Sequence, residues 1–541
     1  MSMTTLVILR FLGIFAVYTG VTLALPALMF RRILRGRSLA EQFLMCYTFG
    51  NFYIINIVFL LQLLHISNFF TLAGLTAVLS IVIGGRVNRI PLKQQAGNTW
   101  HLFGKLLRGR MKLKSAIFLF LGKCAAGIKR LAKFFYRHIV KNPIQSMLLL
   151  GIGVCLCWIY GRQIILVYGY RASDIPVHMS WINEMSRGKI FAKGVYPFGF
   201  HCMIYYLHAV FRFDTYVILC QFFFAQVIFM HLVLLAMLKQ LCKTKYIPYI
   251  GTFVFLLGNF WSGQTYSRFY ATLPQEFGMI FVIPSIYFLI RFFQIPKQKL
   301  ADKETRLTLQ CFAMAFSLTL AIHFYGTMIA GLCCIGIACG FCFRFLRKEY
   351  FRRIMFTGIC SVFLAVLPMG IAFATGTPLQ GSLGWGLSVI NGGKSSSSTD
   401  TEAETDEAET LEVSTGDDKN TVRVVKPDGT VMEIDVSDLP SAQENESGGQ
   451  TQTETTAPAV PKVSFGEKIR KIPGKAKNAL SEMSSRILEF IIKLDVKNIG
   501  YMILASFALL LLLGFIFCVF RQTEYGAMLM SMGFCMWIVT I

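Results

Sequence analysis

The stretch from Tyr170 to Arg187 carries residue types that could do chemistry. Asp174 and His178 are four residues apart, and Pro176 between them is tolerated in the first turn of a helix. On a helix that begins near Asp174, the carboxylate and the imidazole share one face. Groups placed in this way can take a proton from a hydroxyl or bind a divalent metal together. The alternative interpretation is structural, with Asp174 only as the N-cap and His178 as a polar rim residue.

Two further segments carry polar side chains among aromatic ones. Arg268, Tyr270 and Glu276 lie close together in sequence, and His323 follows an apolar run. An arginine near a carboxylate suits the binding of a phosphate while a hydroxyl is activated. These residues also have structural interpretations, because Arg268 can snorkel to lipid headgroups, Tyr270 fits an interfacial aromatic belt and His323 can be a hydrogen-bonded histidine of a bundle.

The composition indicates the kind of element that must position these residues. Of the 541 residues, 55% are hydrophobic and 15% are charged, whereas an ordinary soluble domain has roughly 25% charged residues. This excludes a soluble globular enzyme, a disulfide-stapled secreted scaffold and a mostly disordered chain. The chain is therefore predicted to be an all-α polytopic membrane protein.

Twelve apolar runs are candidates for membrane crossing, since a crossing helix needs ~20 mostly apolar residues. We expect about 12 transmembrane helices, with boundaries that are soft by several residues. The predicted spans are 5–30, 43–64, 69–85, 146–168, 215–238, 246–262, 277–294, 307–324, 326–345, 354–375, 499–520 and 525–541.

The basic residues orient these spans. The 53 Lys and Arg outnumber the 29 Asp and Glu, which gives a net charge of +24. Short basic loops mark the cytoplasmic side. The N-terminus and the segments with Asp174, Arg268 and His323 are then predicted to be extracytoplasmic, in a multi-pass protein of the cell membrane. The basic connections, all on the other side, are 31–37, 86–141, 239–245, 296–306 and 344–353.

Changes in composition divide the chain into six regions. The last of them is apolar up to its final residue, so the chain either ends in the membrane or is a fragment. The regions are 1–85 with three N-terminal spans, 86–145 as a basic cytoplasmic amphipathic segment, 146–393 as a membrane core with extracytoplasmic loops, 394–461 as an acidic low-complexity insertion, 462–498 as a basic interfacial helix and 499–541 with the C-terminal spans.

The two most charged regions have opposite signs. Residues 86–145 contain 14 Lys and Arg and no Asp or Glu. We expect amphipathic helices there that bind anionic membrane lipids, at ~1 kcal/mol per basic residue near the surface. A nucleic-acid partner is not expected, because this region contains no recognised binding module.

The acidic insertion has a composition typical of disorder, with 16 acidic and 3 basic residues over 395–456. In its middle, two alternating apolar and polar runs flank Lys426-Pro-Asp-Gly429, which is a strong turn signal. We therefore predict a small β-hairpin over 421–436 within an otherwise disordered extracytoplasmic segment.

The order of residues around Asp174 resembles the first extracytoplasmic loop of integral-membrane glycosyltransferases of the GT-C superfamily. Asp174 comes just after a span, His178 and a short helix follow, and Tyr196-Pro-Phe-Gly-Phe-His201 leads back into apolar sequence. The resemblance covers about residues 146–375, less than half of the chain. It implies a GT-C-like membrane core.

In that family the loop carboxylate acts as general base on an acceptor hydroxyl, and the donor is usually a sugar on a polyprenyl phosphate. The resemblance thus implies that Asp174 is the catalytic base and that Arg268 and Arg171 contact the lipid phosphate. Some members use a divalent metal such as Mg or Mn. Without an Asp-x-Asp or Asp-Glu pair in this loop, the metal requirement stays open. The residues implied to surround the substrate or metal are His178, His201, Glu276, His323 and Tyr270.

The resemblance also leaves the role of the three N-terminal spans unexplained. We expect a transferase that moves a sugar to an acceptor glycan, lipid or protein in cell-envelope glycan or glycoconjugate synthesis. A transporter or a lipid or polysaccharide flippase is the alternative, but the chain shows no clear internal repeat and almost no Asp or Glu in mid-span. A non-enzymatic scaffold, with the acidic insertion as its binding arm, is the second alternative, and it would make Asp174 dispensable.

Overall fold

The computed structural model describes residues 2–89, isolated positions between 97 and 108, 113–262, 267–381, 412–415, 421–425, 431–435, 496–521 and 523–540. Most of these residues are helical. The predicted interfacial helix of 462–498, up to residue 495, lies outside the described residues, as does most of the low-complexity sequence of 394–461.

The helices are numbered in chain order. Helix α1 contains a π-helical turn at Gly20–Ala24, and α5 contains one at Cys157–Gly161. The helices are α1 Met3–Met29, α2 Leu39–Leu63, α3 Phe69–Asn88, α4 Leu113–Lys141, α5 Pro143–Leu166, α6 Ile175–Ser186, α7 Gly199–Phe211, α8 Thr215–Leu241, α9 Ile247–Trp261, α10 Pro274–Gln294, α11 Lys303–Ile322, α12 Phe324–Gly340, α13 Lys348–Ala374, α14 Val496–Phe520 and α15 Glu524–Thr540, with single turns at Arg31–Leu34, Lys297–Lys299 and Cys342–Phe345.

Eight of the described helices are long and apolar enough to cross a membrane: α1, α2, α3, α5, α8, α10, α11 and α13. Helices α9 and α12 and the described end of α14 are shorter apolar helices. Each of the twelve predicted spans falls on a helix, with ends within about six residues of those expected. The all-α polytopic architecture is confirmed, and the count of twelve crossings stays a prediction.

Helices α2, α8 and α10 form the centre of the bundle. Tyr47 of α2 stacks on Phe229 of α8 at 4.7 Å between ring centroids and on Phe281 of α10 at 5.5 Å. Its hydroxyl also hydrogen-bonds the hydroxyl of Tyr18 on α1, at 2.8 Å. The three N-terminal spans therefore share one hydrophobic core with the helices from 146 onward.

The chain forms two compact units, Met1–Leu387 with Gly500–Ile541, and Ser388–Ile499. The second unit contains an antiparallel sheet of β1 Glu412–Thr415, β2 Thr421–Val425 and β3 Val431–Asp435, in the order β1-β2-β3. Strands β2 and β3 coincide with the predicted hairpin, and Val425 pairs with Val431 next to the turn. Strand β1 was not predicted, because four residues are too few to show an alternating pattern.

Small residues bring α12 and α15 close together. A Cβ atom at Gly340 would lie 2.3 Å from Cα of Met528, and one at Gly336 would lie 2.8 Å from Cα of Met532. The hydroxyl of Ser531 also donates to the carbonyl of Gly336. Glycine at these two positions lets the helix backbones touch, as is common between membrane helices.

We expect Gly340→Ala to lower the stability of the protein by about 1–3 kcal/mol, because the added methyl group overlaps the backbone of α15. Gly331→Ala is the matched control, since a Cβ at Gly331 on the same helix meets nothing within 4 Å. Thermal unfolding of both variants in nanodiscs measures the difference. Equal midpoints for the two variants would contradict the close packing of α12 on α15.

Candidate functional site

Asp174 occupies the N-cap position of α6, but its side chain accepts no capping hydrogen bond. Its carboxylate is exposed and accepts a hydrogen bond of 3.2 Å from the Ser173 hydroxyl. The backbone N–H of His178 donates to the Asp174 carbonyl at 3.1 Å, so the two residues lie one helical turn apart, as predicted. The carboxylate therefore does not cap the backbone N–H groups of α6.

His178 is hydrogen-bonded to His201, which comes from α7. Nδ1 of His178 lies 3.1 Å from Nε2 of His201, and both side chains are buried. Aromatic rings enclose the pair, since the ring centroid of Trp181 lies 5.5 Å from that of His178 and 5.2 Å from that of His201, and Phe198 lies 4.6 Å from His201. The structure therefore brings together His178 and His201, the two histidines that the sequence assigned to one site.

Gly199 allows α7 to reach this position. A Cβ at Gly199 would lie 2.7 Å from the carbonyl oxygen of Ala321 at the end of α11. Two residues further on, His323 caps α12 by accepting a hydrogen bond at Nδ1 from the N–H of Tyr325, at 3.2 Å. The glycine of the Tyr-Pro-Phe-Gly-Phe-His motif thus brings the start of α7 beside the segment that carries His323.

The loop before α7 is held by the segment that follows α13. The N–H of Val195 donates to the carbonyl of Pro378 at 2.8 Å, and the N–H of Gln380 donates to the carbonyl of Val195 at 3.2 Å. Gly194 has φ +104°, which favours glycine. Tyr196, two residues after Gly194, then lies with its ring 6.2 Å from that of His323 and 5.4 Å from that of Trp181.

Arg268 and Glu276 form an ion pair on the side of the site where His323 lies. Nε of Arg268 lies 2.5 Å from Oε1 of Glu276, and Nη2 donates to Gln275 at 2.8 Å. The Glu276 side chain is 8% exposed and that of Arg268 is 48% exposed. A Cβ at Gly278, half a turn after Glu276, would lie 3.7 Å from Cβ of His323. The start of α10 therefore packs beside His323.

Asp174, His178, His201, Arg268, Glu276 and His323 are called the outer cluster from here on. They lie at the end of the bundle that the basic loops predict to be extracytoplasmic, and this end is called the outer end. The sequence named all six, and the described contacts join them through Trp181, Tyr196 and Gly278.

The histidines of the outer cluster are neutral at pH 7. Burial lowers the pKa of His178 to about 4, and the negative charge of Asp174 offsets this only in part. Burial, with the positive charges that His178 and Arg268 can carry, lowers the pKa of His323 to about 4. Burial also lowers the pKa of His201 well below its usual value. The charges of the cluster thus come from Asp174, Glu276 and Arg268.

Arg171 and Tyr270 meet at a second place, near the end of α5. The guanidinium of Arg171 donates to the carbonyls of Gln163 and Val167 and lies over the rings of Phe223, at 4.6 Å, and Tyr270, at 5.8 Å. Burial lowers the pKa of Arg171. In this position Arg171 covers the last carbonyls of a helix, which is a structural role.

Sequence analysis did not single out Trp181 and Tyr196 as site residues. Trp181 follows His178 by three residues and so lies on the same face of α6. Tyr196 opens the Tyr-Pro-Phe-Gly-Phe-His motif, and burial, followed by the charge of Asp174, raises its pKa to about 12. The helical spacing could have identified Trp181, whereas only the fold places Tyr196.

Metal binding has no built site within the part of the chain that the structure describes. No group of three or more His, Cys, Asp or Glu side chains there could hold an ion. His178 and His201 each direct one ring nitrogen to the other, and Glu276 is paired with Arg268. Of the two carboxylates, that of Asp174 makes no ion pair within the described residues, and whether the protein needs Mg or Mn stays open.

An apolar groove of about 940 Å³ runs along α13 between α10, α11 and α12. Its lining on α13 extends from Ile354 to Ala374, about 30 Å at 1.5 Å per residue, which matches the hydrocarbon thickness of a bilayer. Exposed side chains such as Ile359 and Phe363 show that the groove opens sideways. Its outer end leads into the segment that pairs with Val195.

Comparison with known protein families, curated proteins and solved structures finds no match for this chain. The outer cluster itself combines an exposed carboxylate, three neutral imidazoles and a half-exposed arginine. Within the described residues, the carboxylate of Asp174 makes no ion pair and Nη1 of Arg268 makes no hydrogen bond. Such a set can accept a proton at one point and bind an anion at another.

We expect Arg268→Gln to destabilise the protein, because it leaves the buried carboxylate of Glu276 without its partner. The loss should be roughly 1–3 kcal/mol, nearer the lower value because Arg268 is half exposed. The double variant Arg268→Gln/Glu276→Gln removes the unpaired charge and should recover part of the stability. Thermal unfolding at pH 7 tests this, and a double variant no more stable than Arg268→Gln would contradict the pairing.

Proposed function

We propose that this protein is a membrane glycosyltransferase that moves a sugar from a polyprenyl-phosphate donor to an acceptor hydroxyl at the extracytoplasmic face. The observation that carries the proposal is that Asp174 and Arg268 both lie close enough to Glu276 to act on its charge, at the same end of the bundle as the exit of the apolar groove. The acceptor is a glycan, a lipid or a protein of the cell envelope.

The reaction would be a single displacement. The acceptor oxygen attacks the anomeric carbon of the sugar, its proton passes to Asp174, and the bond from that carbon to the phosphate oxygen breaks. The polyprenyl phosphate leaves with the bonding electron pair, and Arg268 stabilises its growing negative charge. Such a transfer inverts the configuration at the anomeric carbon.

The two carboxylates of the cluster support different roles. Asp174 is exposed and makes no ion pair within the described residues, so its oxygen atoms are accessible to an acceptor hydroxyl. Glu276 is buried and already bonded to Arg268. We therefore assign the base to Asp174, and we assign Glu276 to holding Arg268 at the site.

The apolar groove supports a lipid-linked donor. It is lined by aliphatic, aromatic and small residues along its length, as a prenyl chain requires. A chain that lies in the groove would place its phosphate near the outer end of α13, where Val195 pairs with Pro378. Tyr196 directly follows Val195, and its ring lies 6.2 Å from that of His323 in the outer cluster. A lipid with a long apolar chain and a phosphate at one end would suit both the groove and the outer cluster.

The transferase is favoured over the transporter by the position of the ionisable groups. A transport path needs polar groups along the depth of the membrane. The charged side chains of Asp174, Glu276 and Arg268 instead gather at the outer end, and the groove beside them is apolar, while the helices bury the Tyr18–Tyr47 hydroxyl pair and His231 at greater depth. A surface reaction therefore agrees better with this distribution than passage through the bundle.

The proposed base is tested with the purified full chain in nanodiscs and a panel of radiolabelled polyprenyl-phosphate sugars. We expect Asp174→Asn to lower kcat by roughly 100- to 10,000-fold, because the amide cannot accept the proton. Glu184→Gln is the matched control: it removes a carboxylate of the same helix, one that pairs with the exposed Arg187. Its activity should be close to that of the parent.

Two results would contradict this function. The first is no transfer from any donor of the panel by the parent protein. The second is equal activity of Asp174→Asn and the parent, which would make the carboxylate dispensable. In sealed proteoliposomes, movement of the labelled lipid from one leaflet to the other without transfer would favour the flippase instead.

The groove gives an independent prediction. Gly358 and Gly370 line it, and a Cβ at either position meets nothing within 4 Å. Leucine at both positions should fill the groove without straining α13 and raise KM for a long-chain donor about 10-fold, a cost of ~1.4 kcal/mol. Gly151→Leu on α5, also free of contacts within 4 Å, is the control. An unchanged KM would show that the prenyl chain binds elsewhere.

A further inference from the structure

The contact between His178 and His201 restricts where their protons can be. Nδ1 of His178 and Nε2 of His201 are 3.1 Å apart, and a hydrogen bond between two ring nitrogens needs one N–H and one lone pair. A neutral imidazole carries a single N–H. Two arrangements keep the contact: either His178 donates from Nδ1, or His201 donates from Nε2.

The surroundings of His201 distinguish the two arrangements. Its Nδ1 is buried and has no hydrogen-bond partner in the described part of the chain. If His178 donated, His201 would carry its only N–H on Nδ1 and would bury an unpaired donor. If His201 donates, Nδ1 keeps a lone pair. Buried N–H groups without a partner are rarer than buried acceptors without one, so donation by His201 is favoured.

The chemistry of the ring favours the same arrangement. In a free histidine side chain the Nε2–H tautomer is the more stable one. Donation by His201 gives both rings this form, and donation by His178 gives it to neither. His323 has the same form, because its Nδ1 accepts the backbone N–H of Tyr325 and its single proton must be on Nε2.

We infer that His201 is a positioning residue that holds His178 as the Nε2–H tautomer, so that His178 presents a hydrogen-bond donor to an oxygen atom of the substrate. The lone pair of His178 is on Nδ1 and is engaged by His201. Its Nε2 makes no hydrogen bond within the described residues, and the residue is 7% exposed. The ligand that suits this donor is a phosphate or sugar oxygen.

This inference deepens the proposed function and rests on it for the identity of the ligand. A His178 whose lone pair is engaged cannot take a proton from the acceptor. The proton then goes to Asp174, one turn earlier on the same face of α6. The two residues thus have different roles: the Asp174 carboxylate accepts the proton, and the His178 imidazole donates a hydrogen bond.

The tautomer is measured directly by nitrogen-15 NMR of the full chain, labelled on histidine and reconstituted in nanodiscs without substrate. Bare and protonated ring nitrogens have well-separated chemical shifts. The spectra of His178→Gln and His201→Gln, each lacking one set of signals, assign the two residues. We expect a bare Nδ1 and a protonated Nε2 on His178 at pH 7. A protonated Nδ1 on His178 would overturn the inference.

Two variants test whether His201 sets the tautomer. His201→Gln keeps a side-chain N–H that can reach Nδ1 of His178, whereas His201→Phe keeps the ring shape without a donor. The glutamine should preserve the His178 signals and most of the transfer rate. The phenylalanine should bring the two His178 nitrogens into tautomeric exchange and lower transfer about 10-fold. Unchanged His178 signals in both variants would remove the positioning role.

The tautomer assignment and the proposed function can be refuted independently of each other. The spectrum of the parent protein needs neither substrate nor variant, so it decides the tautomer even if His201→Phe does not fold. Absence of transfer with every donor, together with a bare Nδ1 on His178, would refute the glycosyltransferase and leave the proton arrangement in place. Transfer together with a protonated Nδ1 would do the opposite.

Discussion

The hydrogen bond between His178 and His201 is the interaction on which the outer cluster depends. It joins α6, a short helix outside the long spans, to α7, whose first turn is packed against the end of α11. Two imidazoles can be buried among aromatic rings at small cost only if they are neutral and bonded to each other. Asp174 begins the helix that carries His178, and Gly199 at the start of α7 packs against Ala321, two residues before His323. The pair therefore ties the helix that begins at the exposed carboxylate to the segment that carries His323.

Burial has a chemical consequence beyond stability. Because the three histidines stay neutral, His178 can offer a hydrogen-bond donor while none of the three adds positive charge to the site. The remaining ionised groups are the exposed carboxylate of Asp174 and the ion pair of Arg268 with Glu276. Fixed dipoles and one cation next to an apolar groove form an environment in which charge that develops on a leaving phosphate is strongly stabilised. In the proposed reaction, the proton-accepting role therefore goes to Asp174.

The sequence predicted the positions of the long helices well because each rests on local apolar composition. It predicted the one-turn spacing of Asp174 and His178 because this rests on helical geometry. It could not separate Arg268 from Arg171, since both lie among aromatic residues near span ends. Only packing shows that Arg171 covers helix carbonyls while Arg268 pairs with Glu276. The groove along α13 and the contact of Gly199 with Ala321 depend on residues far apart in sequence, so no periodicity indicates them.

In the proposed complex, a phosphate-bearing lipid binds with its chain in the groove and its head at the outer cluster. A cryo-electron microscopy structure of the full chain in nanodiscs with a polyprenyl-phosphate sugar, using Asp174→Asn to prevent turnover, would show where this lipid lies. We expect phosphate density within hydrogen-bonding distance of Arg268, the sugar against residue 174 and His178, and a prenyl chain along α13. Density for the lipid head at the other end of the bundle, or a groove filled by protein, would contradict it.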